Sequence, residues 1–332
     1  MMRTITLEEH YATLAFMEGP GRELKAQAEA ARDHPRVAAG YGKLIEQLCD
    51  LGEGRIAVMD AAGVDVQVLS LTSPGVEQLG STEAVALARD ANDRLAEAVR
   101  RHPGRFAGFA TLPTMAPDTA ADELERMVRE NGFKGALING HTGGRYLDDS
   151  FFWPILERAE ALGVPIYLHP TPPPRLVVEA SYAGNYAPEV AFGLASGAWG
   201  WHIETAIHVL RLILSGAFDR YPSLQIVIGH MGECLPFMLP RIDLALPTEM
   251  TKLDRPVSAY LRENLHYTFS GFNWIQAFLD LVLQVGVDRV MFSADHPYAS
   301  MLEARAFLDK LPVSPADRER IAHGNAERLL RL

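Results

Sequence analysis

The chain has 332 residues, is 48% hydrophobic and carries a formal net charge of -11. That apolar fraction suffices for a large buried core, while the acidic balance and the lack of any Lys/Arg run argue against a nucleic-acid surface. Two cysteines, Cys49 and Cys234, with no CxxC spacing, argue against a disulfide framework and a thiolate metal cluster. They read as small buried residues in a reducing compartment. No apolar signal segment and no run of ~18 apolar residues stands out, so a cytoplasmic chain with no membrane partner is expected.

The first strand is predicted at TITLEEH (Thr4–His10). Alternation along it puts Glu8 and His10 on one face with Thr6, roughly 7 Å apart, and turns Glu9 outward toward the helices. Residues 18–55 follow as an Ala/Glu-rich, helical insertion with Gly-Pro punctuation. Next come strands at VDVQVLSL (Val64–Leu71), RFAGFATLP (Arg105–Pro113), FKGALING (Phe133–Gly140) and VPIYLHP (Val164–Pro170). A second insertion, residues 171–201, is Pro-rich and aromatic. The remaining strands are LQIVIGH (Leu224–His230), LHYTFSG (Leu265–Gly271) and RVMFSADHP (Arg289–Pro297). Amphipathic helical segments separate them, several ending in Gly or Pro. Eight strands alternating with helices predict a (β/α)8 TIM barrel, one domain over residues 1–332. A doubly wound open sheet is the alternative, but its Gly-rich turn after the first strand is missing.

In such a barrel the strand C-termini converge on one mouth, where chemistry sits. Strand one ends in Glu8 and His10, strand five in His169, strand six in His230 and strand eight in Asp295. Each has a bland reading as a polar strand end or a cap. Their convergence on the same end of the barrel favours a metal centre. Two imidazoles and two carboxylates (Glu8, His10, His169 and Asp295) suit one borderline divalent ion, Zn or Mn, with positions left open. His230 is placed as a proton-transfer partner of Asp295, orienting or tuning it.

The segments LEEH, YLHP, IGHMGE and FSADHPY resemble the metal-dependent amidohydrolase superfamily, in its decarboxylase branch, along essentially the whole chain. Hydrolases of that superfamily begin with His-x-His. Glu-x-His at Glu8 and His10 looks like the γ-resorcylate, 2,3-dihydroxybenzoate and 5-carboxyvanillate decarboxylases. The resemblance implies the same four ligands, a catalytic His230, and an arginine near Arg241, with Arg55 a second candidate, holding a substrate carboxylate. A structural ion pair is the alternative for both arginines. The chain departs from the resorcylate enzymes at His296, where they carry an aromatic residue after the aspartate; His296 is therefore a candidate contact to a ring substituent.

Asn139 is a further candidate substrate contact, although Asn-Gly is also an ordinary turn pair. His141 is expected in a surface loop or at the mouth, and His202 and His208 as packing residues. Tyr182, Tyr186, Phe192, Trp199 and Trp201 in the second insertion suit either an aromatic substrate or a subunit interface. A homodimer or homotetramer is expected, and a lid shared across a dimer satisfies both. The expected reaction is non-oxidative decarboxylation of an ortho-hydroxy aromatic carboxylate, with Asp295 and His230 protonating the ring carbon. Hydrolysis of an amide or lactone, hydration of an unsaturated acid, and a non-enzymatic binding barrel are the alternatives.

Overall fold

A computed structural model describes residues 2–24, 26 and 35–332. Part of the predicted first insertion, residues 25 and 27–34, lies outside them. Among the described residues nine strand segments pair in parallel: β1 (Ile5–Tyr11), β2 (Val66–Leu71), β3 (Phe106–Gly108), β4 (Ala110–Thr111), β5 (Ala136–Asn139), β6 (Ile166–His169), β7 (Ile226–Ile228), β8 (Leu265–Thr268) and β9 (Val290–Met291). Main-chain pairing runs β1-β2-β3 and β4-β5-β6-β7-β8-β9. β3 and β4 are two halves of one barrel strand, since Phe109 between them donates its N–H to Leu69 O at 2.9 Å. Leu7 N to Phe292 O, 3.2 Å, and His10 N to His296 O, 2.7 Å, join β1 to the end of β9. Those bonds close a (β/α)8 barrel.

Two apolar layers follow from strand alternation. Ile5, Leu7, Val66, Val68, Phe109, Leu137, Tyr167 and Val227 fill the barrel interior, and Ala326 and Leu330 of the last helix (Asn325–Leu330) join them from the N-terminal end. Residues one position out of phase, such as Leu69, Ile138, Leu168 and Ile228, pack under the surrounding helices. Among the described residues no helix is long and apolar enough to cross a membrane.

β1 breaks the alternation. Thr6 pairs with Gln67 but Glu9 pairs with Leu69, so β1 spends one extra residue, and Glu8 takes φ +63°. This bulge changes which face each later side chain meets. Ile5 and Leu7 point inward, so strict alternation would send Glu9 inward and Glu8 outward with Thr6. The extra residue reverses that. Glu8 and His10 do reach the mouth, but without Thr6.

Glu9 lies outside the barrel wall, fully buried, and is not idle there. Its Oε1 accepts from Ala294 N at 2.8 Å and its Oε2 from His296 N at 3.1 Å and Gln67 Nε2 at 3.3 Å. One carboxylate thus clamps both main-chain neighbours of Asp295. Burial pushes the Glu9 carboxyl up to about 8, against the pull of the Ala294 and His296 N–H groups. Arg55, 2% exposed, supplies positive charge beside it. The Arg55 guanidinium donates to His10 O (2.7 Å), Gln47 O (2.9 Å) and Asp50 O (2.7 Å). It braces the main chain rather than facing the mouth, which differs from the substrate contact expected of it.

Replacing Arg55 by Met should therefore destabilise the fold, because three carbonyls lose their buried donor and Glu9 its cationic neighbour. A loss of about 3–5 kcal/mol is expected, read as a lower urea midpoint at unchanged slope.

Candidate metal centre and active-site cavity

Glu8 has no solvent contact. Its Oε2 accepts from the hydroxyls of Tyr167 and Ser270, with Thr268 Oγ1 at 3.4 Å. Oε1 has no hydrogen-bond partner and lies 3.4 Å from His169 Nε2 and 3.7 Å from His230 Nε2. Burial pushes this carboxyl up, and the His230 imidazole pulls it back down. The turn after β7 leaves room for it because residue 229 is glycine: a Cβ there would sit 2.5 Å from Glu8 Oε2 and 2.9 Å from Ser270 Oγ.

His10 Nε2 lies 3.2 Å from Asp295 Oδ1, and the His10 and His169 rings meet edge-on at 4.8 Å. Burial and the neighbouring His10 and His230 drive His169 well below the usual histidine range, leaving it neutral with a lone pair to offer. Glu8, His10 and His169 place ligand atoms within 4.8 Å of one another. Among the described residues, Glu8 Oε1 and both His10 ring nitrogens are buried polar atoms without a hydrogen-bond partner. Such a cluster is costly unless a cation completes it. The nitrogen and oxygen donor set fits one borderline divalent ion, with Asp295 beside it.

His230 follows β7 on a tight turn with φ +49°. Its Nδ1 is 2.7 Å from Glu233 Oε1. Burial works against its charge, yet Glu233 and Glu8 hold it up at about 10. His169, His230 and Asp295 open onto a cavity of about 380 Å³. Leu24, Tyr41 and Leu44 of the first insertion and Phe192, Ser196 and Trp201 of the second wall it. Both insertions thus form the cavity roof. The second is largely helical, at Arg175–Ser181 and Pro188–Ala195, rather than irregular. Its aromatics divide: Phe192, 58% exposed, and Trp201 line the cavity, Tyr182 is buried, and Tyr186 and Trp199 are 43% and 47% exposed and are not among its lining residues.

The other expected substrate contacts do not meet in this cavity. Among its described lining residues there is no arginine or lysine. Arg241 is exposed on the helix Leu235–Ala245. Asn139 sits beside His169 in strand register, and its N–H donates to the buried Glu77 at 2.7 Å. His296 gives its main-chain N–H to Glu9, and burial followed by Arg55 pulls its ring down to about 3. His141 is a buried loop brace, with Gly144 N at 3.0 Å and Pro172 O at 3.2 Å from its ring. His208 packs and accepts from Leu147 N, as expected. His202 does more than pack: its Nδ1 is 2.6 Å from Glu233 Oε2.

Four functional side chains escaped the sequence reading: Tyr167, Thr268, Ser270 and Glu233. A signal for three of them existed. Tyr167 lies two positions before His169, and Thr268 and Ser270 share one face of β8 and its extension, so alternation aims all three at the barrel axis. Tyr167→Phe removes one of the donors that fix Glu8. Metal affinity should fall roughly 10–100-fold with the fold intact, measured by chelator competition alongside far-UV circular dichroism.

Comparison with known proteins agrees with this geometry. The amidohydrolase family pattern matches residues 46–332. The chain is 39% identical to a γ-resorcylate decarboxylase of Polaromonas sp. (strain JS666), over 99% of this chain and 98% of the relative. Among solved structures, a dihydroxybenzoic acid decarboxylase from Polaromonas sp. JS666, with bound manganese and the inhibitor 2-nitroresorcinol, superposes with TM-score 0.89 at 38% identity, covering 100% and 98% of the two chains. A 5-carboxyvanillate decarboxylase from Novosphingobium aromaticivorans with bound manganese gives TM-score 0.90 at 36% identity, covering 99% and 97%. With a Glu-x-His metal strand, a hydroxyl-braced Glu8 and full-length likeness to these enzymes, the chain belongs to the amidohydrolase family and to its decarboxylase branch.

Proposed function

We propose that this protein is a metal-dependent, non-oxidative decarboxylase acting on an ortho-hydroxy aromatic carboxylate of the hydroxybenzoate type. One observation carries the reading: a proton-handling pair, His230 and Asp295, shares a 380 Å³ cavity with the metal-type ligand His169. Glu8, His10, His169 and Asp295 would hold the ion, manganese or zinc, which supplies positive charge for orienting the substrate's phenol and carboxylate oxygens. Two manganese-bearing relatives support manganese. A divalent ion would also supply positive charge toward an anionic substrate.

The residues of the chain do the rest. Tyr41, Phe192 and Trp201 wall the space around a flat ring, and the roof limits water. Asp295 protonates the ring carbon that bears the carboxylate. The electron pair of the breaking C–C bond then returns to the ring as CO2 leaves. His230, fixed by Glu233, returns a proton to Asp295. No water is added to the substrate, so the reaction runs backwards under excess bicarbonate. A homodimer or homotetramer accompanies this reading, supported by Phe237 and Leu244, 75% and 73% exposed on one helix.

His230→Asn should keep the metal and lower kcat roughly 10²–10⁴-fold, as shown by metal analysis and steady-state rates on the same preparation. The reaction itself is tested with manganese-loaded protein and a hydroxybenzoate panel in heavy water. The expected product is a phenol with one deuterium where the carboxylate stood. Turnover of amides or lactones with no CO2 from any hydroxybenzoate would instead establish a hydrolase.

A further inference from the structure

His202 opens the helix Gly200–Leu214 and is 5% exposed. Its two ring nitrogens face two acceptors: Nδ1 lies 2.6 Å from Glu233 Oε2 and Nε2 lies 3.0 Å from Gly197 O. Glu233 is itself fully buried, and its other oxygen, Oε1, meets His230 Nδ1 at 2.7 Å. Among the described residues those two imidazoles are the hydrogen-bond partners of the Glu233 side chain. The rings of His202 and His230 stand 4.8 Å apart, and Phe272 lies edge-on to both, at 4.9 and 5.4 Å. An unbroken chain therefore runs from Gly197 O through His202 and Glu233 to His230.

Gly197 lies in the turn that joins the helix Pro188–Ala195 to the helix Gly200–Leu214. Ser196 and Trp201, on either side of it, are cavity wall, and Ser196 O accepts from Trp201 N at 3.2 Å. The turn that roofs the substrate space is thus the turn that fixes His202. A buried carboxylate with one oxygen unpaired would rotate or shed its charge. His202 prevents this by occupying Oε2, which leaves Oε1 for His230 alone.

We propose that His202 is a positioning residue for proton transfer: through its Nδ1 contact it locks Glu233, and through Glu233 the His230 ring. This rests on the decarboxylase reading only for the identity of the substrate. Two substitutions separate hydrogen bonding from packing. His202→Asn keeps an N–H donor at the Nδ1 position, whereas His202→Phe keeps the ring and removes both donors. His202→Ala serves as a second donor-free variant should the Phe protein not fold.

Rates are measured on metal-loaded enzyme, and the downfield imidazole N–H resonance of His230 is followed in ¹⁵N-histidine-labelled protein without substrate. The expected result is full metal content and KM within about threefold of wild type in every variant. Loss of an orienting partner typically lowers function roughly 10–100-fold, and kcat should fall by that much in the Phe and Ala proteins while Asn retains most of it. The His230 resonance should persist in the Asn protein and shift or vanish in the donor-free ones. Unchanged rate and resonance in the donor-free proteins, or an Asn protein as impaired as they are, would overturn the proposal and leave His202 a packing residue. A wild-type enzyme inactive on every hydroxybenzoate would refute the substrate reading alone, because the resonance arm needs no substrate.

Discussion

A carboxylate sealed from water at the barrel axis is the constraint on which the mouth of this protein depends. Glu8 has its two oxygens in different worlds: one surrounded by Tyr167, Thr268 and Ser270, the other bare. Burying such a group is unfavourable unless charge is returned to it. The hydroxyls return part of it and fix the direction of the free oxygen. The remainder has to come from a cation, and His10, His169 and Asp295 stand where that cation would be shared. Gly229 is tied to the same constraint, because a side chain there would occupy the place of the carboxylate.

The neighbouring Glu9 answers to an opposite demand. It points away from the axis, yet it holds the two peptide groups that flank Asp295. Adjacent acids in one short segment thus take separate duties, one toward the barrel mouth and one toward the loop that carries Asp295. The left-handed backbone at Glu8 makes this division possible, since a regular strand would have exchanged their directions. Arg55 then secures the arrangement from behind by holding the carbonyl of His10.

The barrel and the convergence of polar strand ends on its mouth were legible because both follow from short-range pattern: β-branched runs, polar strand ends, helical spacing between. The bulge was not, since nothing in ITLEEH distinguishes an extra residue from regular alternation; the right face for Glu8 came from a parity argument anchored on the wrong residue, Thr6. Arg55 and His296 were read as facing substrate because their types suit anions and ring substituents. Whether they do depends on which side of the wall they emerge, a tertiary property. His202 sits among apolar neighbours and reads as packing, and its partner Glu233 lies just beyond the glycine of GHMGE. Only the fold brings the two within hydrogen-bond distance.

The closure of β1 against the end of β9 also orders events in time. Glu9 meets Ala294 and His296 across 285 and 287 positions of sequence. A ribosome delivers a chain from its N-terminus at ~5–20 residues per second, so Glu8 and His10 emerge first and Asp295 near the end. Until the last strand is made, the first strand lacks the partner for its second edge. Asp295 can join Glu8 and His10 only once ring closure has brought the end of β9 against β1.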